Sequence, residues 1–249
     1  MFVTSGTPWI QHSSTGCGAG SGKAPDMQIV IQCAGSKRAD AGTFRLNDGR
    51  QVVFVADPAW APRVDDVLHA HPDEPSDRPG QSWRERVVAE NGLRNAAATP
   101  LLAAGQLYTP NAYAALQRHL GAERLFILSA GWGLVRSDFR LPAYDITFSG
   151  AAERYKRRRS SHQFSDFNQL VGEASDDTVF LGGKDYLPLF LQLSAAVPGR
   201  RLVFFNSTVQ ADAPGCEVQK FRTTRRTNWH YSCAEALASG ALVPRFAPP

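Results

Sequence analysis

LFILSAGWGLVRSDFRLPAYD, residues 125–145, is the stretch from which the fold is read. Leu125 to Leu128 is a short apolar run that breaks at Ser129-Ala130-Gly131-Trp132-Gly133. A buried strand opening into a glycine-bounded loop is where an α/β sheet presents ligand-binding groups. Glycines permit positive φ or a close backbone approach to a ligand. Trp132 is unusual in a tight turn, where Gly, Asn, Asp or Pro prevail. Two readings of it stand: a flat surface on which a base stacks, or a side chain that caps the core.

Working outward, similar units recur. Gln28 to Gln32 is β-branched, ends at Cys33, and is followed by Ala34-Gly35-Ser36-Lys37-Arg38. A small-residue loop with two cations after a strand is an anion contact or a solvated basic turn. Cys33 reads as a packing residue or a nucleophile. Gln51 to Ala56, Thr178 to Leu181 and Arg201 to Phe205 are further strand candidates. The third unit continues into Gly182-Gly183-Lys184-Asp185-Tyr186, and the fourth into Asn206-Ser207-Thr208. A Gly-Gly turn ahead of a helix exposes N–H groups that suit an anion. Helices are expected over Trp83–Ala98, Asn111–Leu120, Leu187–Leu193 and Tyr231–Ser239, the last closed by Gly240. The expected fold is a single α/β domain, residues 27–249, with a mainly parallel or mixed central sheet flanked by helices. Polar loops after Cys33, Ser129, Leu181 and Phe205 then share one rim.

Residues 57–82 carry five prolines and read as a long irregular loop or a partly open insertion. Residues 1–26, rich in Ser, Gly and Thr, read as a disordered tail. Their GCGAGSGKA stretch is not a phosphate loop, because Cys17 and Ala24 stand where the pattern needs Gly and Ser or Thr. Arg154 to Arg159 holds five cations around Tyr155, and Lys220, Arg222, Arg225 and Arg226 form a second cluster. Each is a solvated face or a contact to phosphates.

The 249 residues suffice for a full core, and 43% apolar with 20% charged residues is ordinary for a globular chain. A net charge of +4 permits nucleic acid as a partner. The four cysteines form no C-x-x-C pair or zinc spacing, so a reducing cytoplasm is expected and no metal or cofactor is. No apolar run approaches the ~20 residues of a membrane helix.

The pattern in LSAGWGLV…LPAYDITFS, a strand, then Ser-x-x-x-Gly-Leu, then Pro-x-Tyr-Asp, resembles the YaaA-like superfamily. Its small relatives also begin with a strand ending in Cys and a Lys-bearing loop, as at Cys33 to Lys37, and the turn Gly182 to Tyr186 fits their later strand-helix unit. The Pro-rich insertion and Asn228-Trp229-His230-Tyr231 depart from the pattern. The resemblance implies an α/β domain that binds or acts on nucleic acid. YaaA itself is tied to peroxide stress and DNA protection. Kindred domains occur in 7-deazaguanine modification and in base-excising glycosylases.

Three expectations follow. The first is a DNA glycosylase-type hydrolase that acts on a modified or damaged base, in a setting such as DNA damage, modification or phage defence. There Asp145 stabilises the oxocarbenium-like sugar and His230 acts as the acid. Asn206 reads the base edge, and Trp132, Tyr144, Ser129 and Gly131 hold the base. Lys37, Arg38, Lys156, Arg157, Arg158, Arg159, Lys184, Arg222, Arg225 and Arg226 hold phosphates; DNA is the expected polymer, with RNA open. The second is an enzyme in which Cys33 attacks an exocyclic group of a 7-deazaguanine already in DNA. The third is a non-catalytic DNA-binding protein of the stress type.

Overall fold

A computed structural model describes residues 27–93, 100–173 and 176–247. In chain order the elements are β1 (Met27–Gln32), β2 (Gln51–Phe54), β3 (Val67–Ala70), α1 (Trp83–Asn91), β4 (Leu102–Ala103), α2 (Ala104–Leu107) and α3 (Asn111–Leu120). There follow β5 (Leu125–Ser129), β6 (Gly133–Arg136), β7 (Arg140–Leu141), β8 (Phe167–Asn168) and β9 (Asp177–Leu181). The chain continues through α4 (Leu187–Ser194), β10 (Arg201–Phe205), β11 (Glu217–Lys220) and α5 (Trp229–Ala238).

The fold is α/β, built on a seven-stranded sheet in the order β11-β10-β9-β1-β5-β6-β8. Strands β11 to β5 of that order are mutually parallel, while β6 runs antiparallel to β5. Four of these parallel strands, β1, β5, β9 and β10, carry continuous apolar runs, whereas the edge strand β11 (EVQK) does not. All five residues of β5 and of β9 are buried, because parallel strands are covered on both faces. Strand β1 is central, with Ile29 opposite Leu125 on one side and Val179 on the other. The chain moves from β1 to β5 and later returns to β9 on the opposite flank. The carboxyl ends of β1 and β9 thus flank a topological switch point, where an open α/β sheet leaves a crevice.

Local chemistry accounts for several boundaries. Ser82 and Glu85 form a reciprocal capping box that starts α1. That helix stops at Asn91 with Gly92 as its cap; of its expected continuation to Ala98, residues 94–98 lie outside the described residues. The expected tail, residues 1–26, also lies outside them. Residues 57–82 are ordered by pairing rather than open. Val67–Ala70 lies parallel to Gln51–Phe54, and Pro58–Trp60 forms a single 3-10 turn. The cationic run after Gly150 is not helical: Arg154–Lys156 is one 3-10 turn, and Thr147 and Arg157 form a bridge. The run has no apolar stripe to bury, so nothing favours continuing the turn as a helix.

Candidate functional site at the switch point

The loop after β5 is held by side chains from distant segments. Ser129 Oγ accepts from the N–H groups of Gly131 and Trp132 at 3.2 and 3.1 Å, and donates to Tyr144 Oη at 2.9 Å. Arg84 donates to the carbonyls of Trp132 and Gly131 at 3.1 and 3.2 Å, and Arg158 to that of Ala130 at 3.0 Å. The carbonyls of Ala130 and Gly131 sit in a buried turn outside the strand ladders and take their partners from the two arginines, whereas the Trp132 carbonyl also accepts from Phe167 N at 2.9 Å. Asp73 pairs with Arg84, and Asp166 pairs with Arg158 through both oxygens at 2.8 and 2.6 Å.

This arrangement corrects two expectations. Trp132 is 0% exposed; its ring lies edge-on to Phe54 at 5.0 Å and parallel to Phe167 at 6.3 Å, so it has no face open to a base. Arg158 is likewise buried, with its guanidinium consumed by Asp166 and Ala130, and is no phosphate contact. Gly131 is small for packing reasons, since a Cβ there would lie 2.9 Å from Ile146 Cδ1. Gly133 has φ +85°, and a Cβ on it would meet the Phe167 carbonyl at 2.5 Å.

Beside this loop, five of the expected residues come together: Cys33, Lys37, Ser129, Tyr144 and Asp145. Cys33 directly follows β1, with Sγ 3.2 Å from Tyr186 Oη. Tyr144 Oη also bonds Tyr108 Oη at 2.8 Å, and Lys37 Nζ lies 4.2 Å from the Tyr144 ring centroid. Burial lowers the Lys37 pKa, opposed by the nearby Cys33 and Asp145. Burial raises the phenols of Tyr108, Tyr144 and Tyr186 well above their ordinary range. They are neutral hydrogen-bond donors at physiological pH. Asp145 is half exposed at the edge, with Lys156 Nζ at 2.8 Å; Lys156 also pairs with Glu153, and the two carboxylates raise its pKa.

Tyr108 and Tyr186 carry no role in the sequence reading. The only signal for Tyr186 is its place behind the Gly182-Gly183 turn. Gly183 N donates to Gln32 Oε1 at 2.6 Å, tying that turn to the end of β1.

Other expected residues lie elsewhere. His230 sits in the first turn of α5, 3% exposed, with no hydrogen-bond partner for Nε2 among the described residues. Burial pushes its pKa down to about 4, which favours the neutral imidazole at pH 7 over the imidazolium needed to protonate a leaving base. This overturns its role as the acid. Asn206 donates to the Arg225 carbonyl and lines a groove of about 780 Å³ at the ends of β9 and β10, with Gly183, Lys184, Arg226 and Trp229.

The remaining cations divide into engaged and free. Arg38 pairs with Asp40, Arg157 donates to the Gly150 carbonyl, and Arg159 is half buried. Lys184, Arg222, Arg225 and Arg226 are exposed and enter no ion pair among the described residues. No group of three His, Cys, Asp or Glu among the described residues is placed to hold a metal, and no helix is long and apolar enough to cross a membrane. No family model matches the chain, nor does any curated protein or solved structure.

Proposed function

We propose that the protein recognises a modified or damaged base in DNA and cleaves its N-glycosidic bond, as the resemblance to the YaaA-like superfamily suggests. The observation that carries this reading is the grouping of Lys37, Tyr144 and the Lys156-held Asp145 at the switch point. Asp145 faces the positive charge that develops on the sugar as the bond lengthens. Lys37 takes the part first assigned to His230 and stabilises negative charge on the departing base. Lys184, Arg222, Arg225 and Arg226 bind phosphates by ion exchange. Asp145→Asn is expected to lower base release at least ~100-fold, the usual scale for a group acting in the transition state, while DNA binding persists. The assay uses DNAs carrying glucosylated cytosine, 7-deazaguanines or oxidised bases, read as alkali-labile sites. Equal loss of release and binding counts against the assignment.

A second reading rests on Cys33. Its Sγ lies 3.2 Å from Tyr186 Oη. A thiol beside a neutral phenol can add across an exocyclic nitrile of a 7-deazaguanine, the phenol protonating the nitrile nitrogen as it takes up the thiol proton; water then cleaves the thioimidate to a carboxamide and frees the thiol. An altered nucleoside without strand breaks, lost in Cys33→Ala, favours this chemistry; full activity in Cys33→Ala removes it. Binding with no product from any substrate leaves a non-catalytic DNA-binding protein.

A further inference from the structure

Trp60 is 57% exposed, whereas Trp83, Trp132 and Trp229, the other described tryptophans, are buried. One exposed apolar ring is ordinary by itself; what distinguishes this one is its setting. Its position is fixed rather than loose. Pro58 opens the 3-10 turn, and Ala61 N returns to the Pro58 carbonyl at 3.1 Å. The N–H groups of Ala56 and Asp57 both donate to the Tyr155 carbonyl at 2.9 Å. The Arg154 guanidinium carbon lies 3.3 Å from the Trp60 ring centroid, and Arg154 is exposed with no ion pair among the described residues. The two side chains form a cation–π stack held at the surface.

The stack adjoins the candidate site. Arg154 belongs to the turn that contains Lys156, and Lys156 holds Asp145 at 2.8 Å. On the other side, Asp145 N donates to the carbonyl of Phe54, the last residue of the strand leading to Trp60. Glu153, next to Arg154 in the chain, is already paired with Lys156.

We propose that Trp60, backed by Arg154, is the platform on which an unpaired nucleobase stacks when DNA engages the switch-point site. This rests on the nucleic-acid reading above and assigns the aromatic contact that buried Trp132 cannot make. An indole fixed by proline and backed by a guanidinium offers a π-face at small entropic cost, and every base has a face to match it. Arg154 adds a cation where the adjoining phosphate passes.

The test is equilibrium binding of the full chain to a single strand, to a duplex with one unpaired base, and to the fully paired duplex. Trp60→Ala is expected to weaken the first two roughly tenfold or more, the scale of one base–aromatic stack, and to leave the paired duplex nearly unchanged. Trp60→Phe is expected to recover most of the loss. An unpaired 2-aminopurine should lose fluorescence on binding to the wild type and not to Trp60→Ala. The platform is overturned if Trp60→Ala binds all three probes like the wild type while Arg225→Ala and Arg226→Ala weaken all three. It is overturned equally by a uniform loss across the probes, or if the variant changes only self-association. Failure of the wild type to bind any probe overturns the nucleic-acid reading and the platform together.

Discussion

His230 illustrates how burial alone sets a residue's chemistry. Its ring meets Tyr231 at 4.1 Å and Trp229 at 6.1 Å, and no carboxylate offsets desolvation. The folded state therefore resists protonation, with a pKa near 4 against an ordinary 6.5. The unfolded chain binds the extra proton between those values, so stability from this group is full above pH 6.5 and lost as pH falls toward 4. Linkage puts the loss at about 3 kcal/mol. His69, His71 and His162 are lowered too, so the comparison must be with His230→Phe. Urea unfolding at pH 7.5 and 4.5 should show the wild type losing more stability than His230→Phe by most of that amount. An equal loss would mean that the imidazole is hydrated in the folded state. Trp60 and Trp132 teach the same lesson in reverse. Both stand among small residues or prolines in the sequence, and only their distant neighbours decide which is wet.

At the level of elements, the loop after β5 depends on two arginines that come from 46 or more residues upstream and some 28 downstream. Breaking a buried ion pair by removing one partner typically costs ~3–5 kcal/mol. Arg158→Ala is expected to lose stability on that scale, while Arg157→Ala, next in sequence, should change it by less than ~1 kcal/mol. Thermal unfolding of both variants checks this; similar losses would remove the clamp as an explanation. Tyr113, Leu116 and Leu120 repeat at helical spacing, so α3 is legible from its own residues at Asn111–Leu120. Residues 151–172 carry no such guide. Arg158 looked like its cationic neighbours, since a side chain's type does not disclose whether Asp166 waits across the fold.

For the whole molecule, the count of 27 lysines and arginines overstates the basic surface available to a polyanion. Arg38, Lys156 and Arg158 are in ion pairs, whereas Lys184, Arg222, Arg225 and Arg226 are free of them among the described residues. If the last four contact phosphates, each removal should reduce the salt slope of log affinity by roughly one. Arg158→Ala should leave that slope unchanged in protein that remains folded. A slope insensitive to Arg222, Arg225 and Arg226 would move the polyanion to another face.

The α/β class, the strands β1, β5, β9 and β10, and the polar loops behind them follow from short windows of the sequence. A strand covered on both faces must be apolar along its length, and that shows in a short window. Cys33 and Ser129 were legible as candidates because they end such runs, and Tyr144 and Asp145 through the Pro-x-Tyr-Asp motif of the resemblance. The strand order, the partners Tyr108 and Tyr186, the burial of Trp132 and His230, and the exposure of Trp60 arise from the folded chain alone. Each of these depends on contacts between residues far apart in the chain, such as Cys33 with Tyr186 across 153 positions. Desolvation and ion pairing are set by those contacts, so the same residue type ends as core, clamp or open surface according to what the fold brings against it.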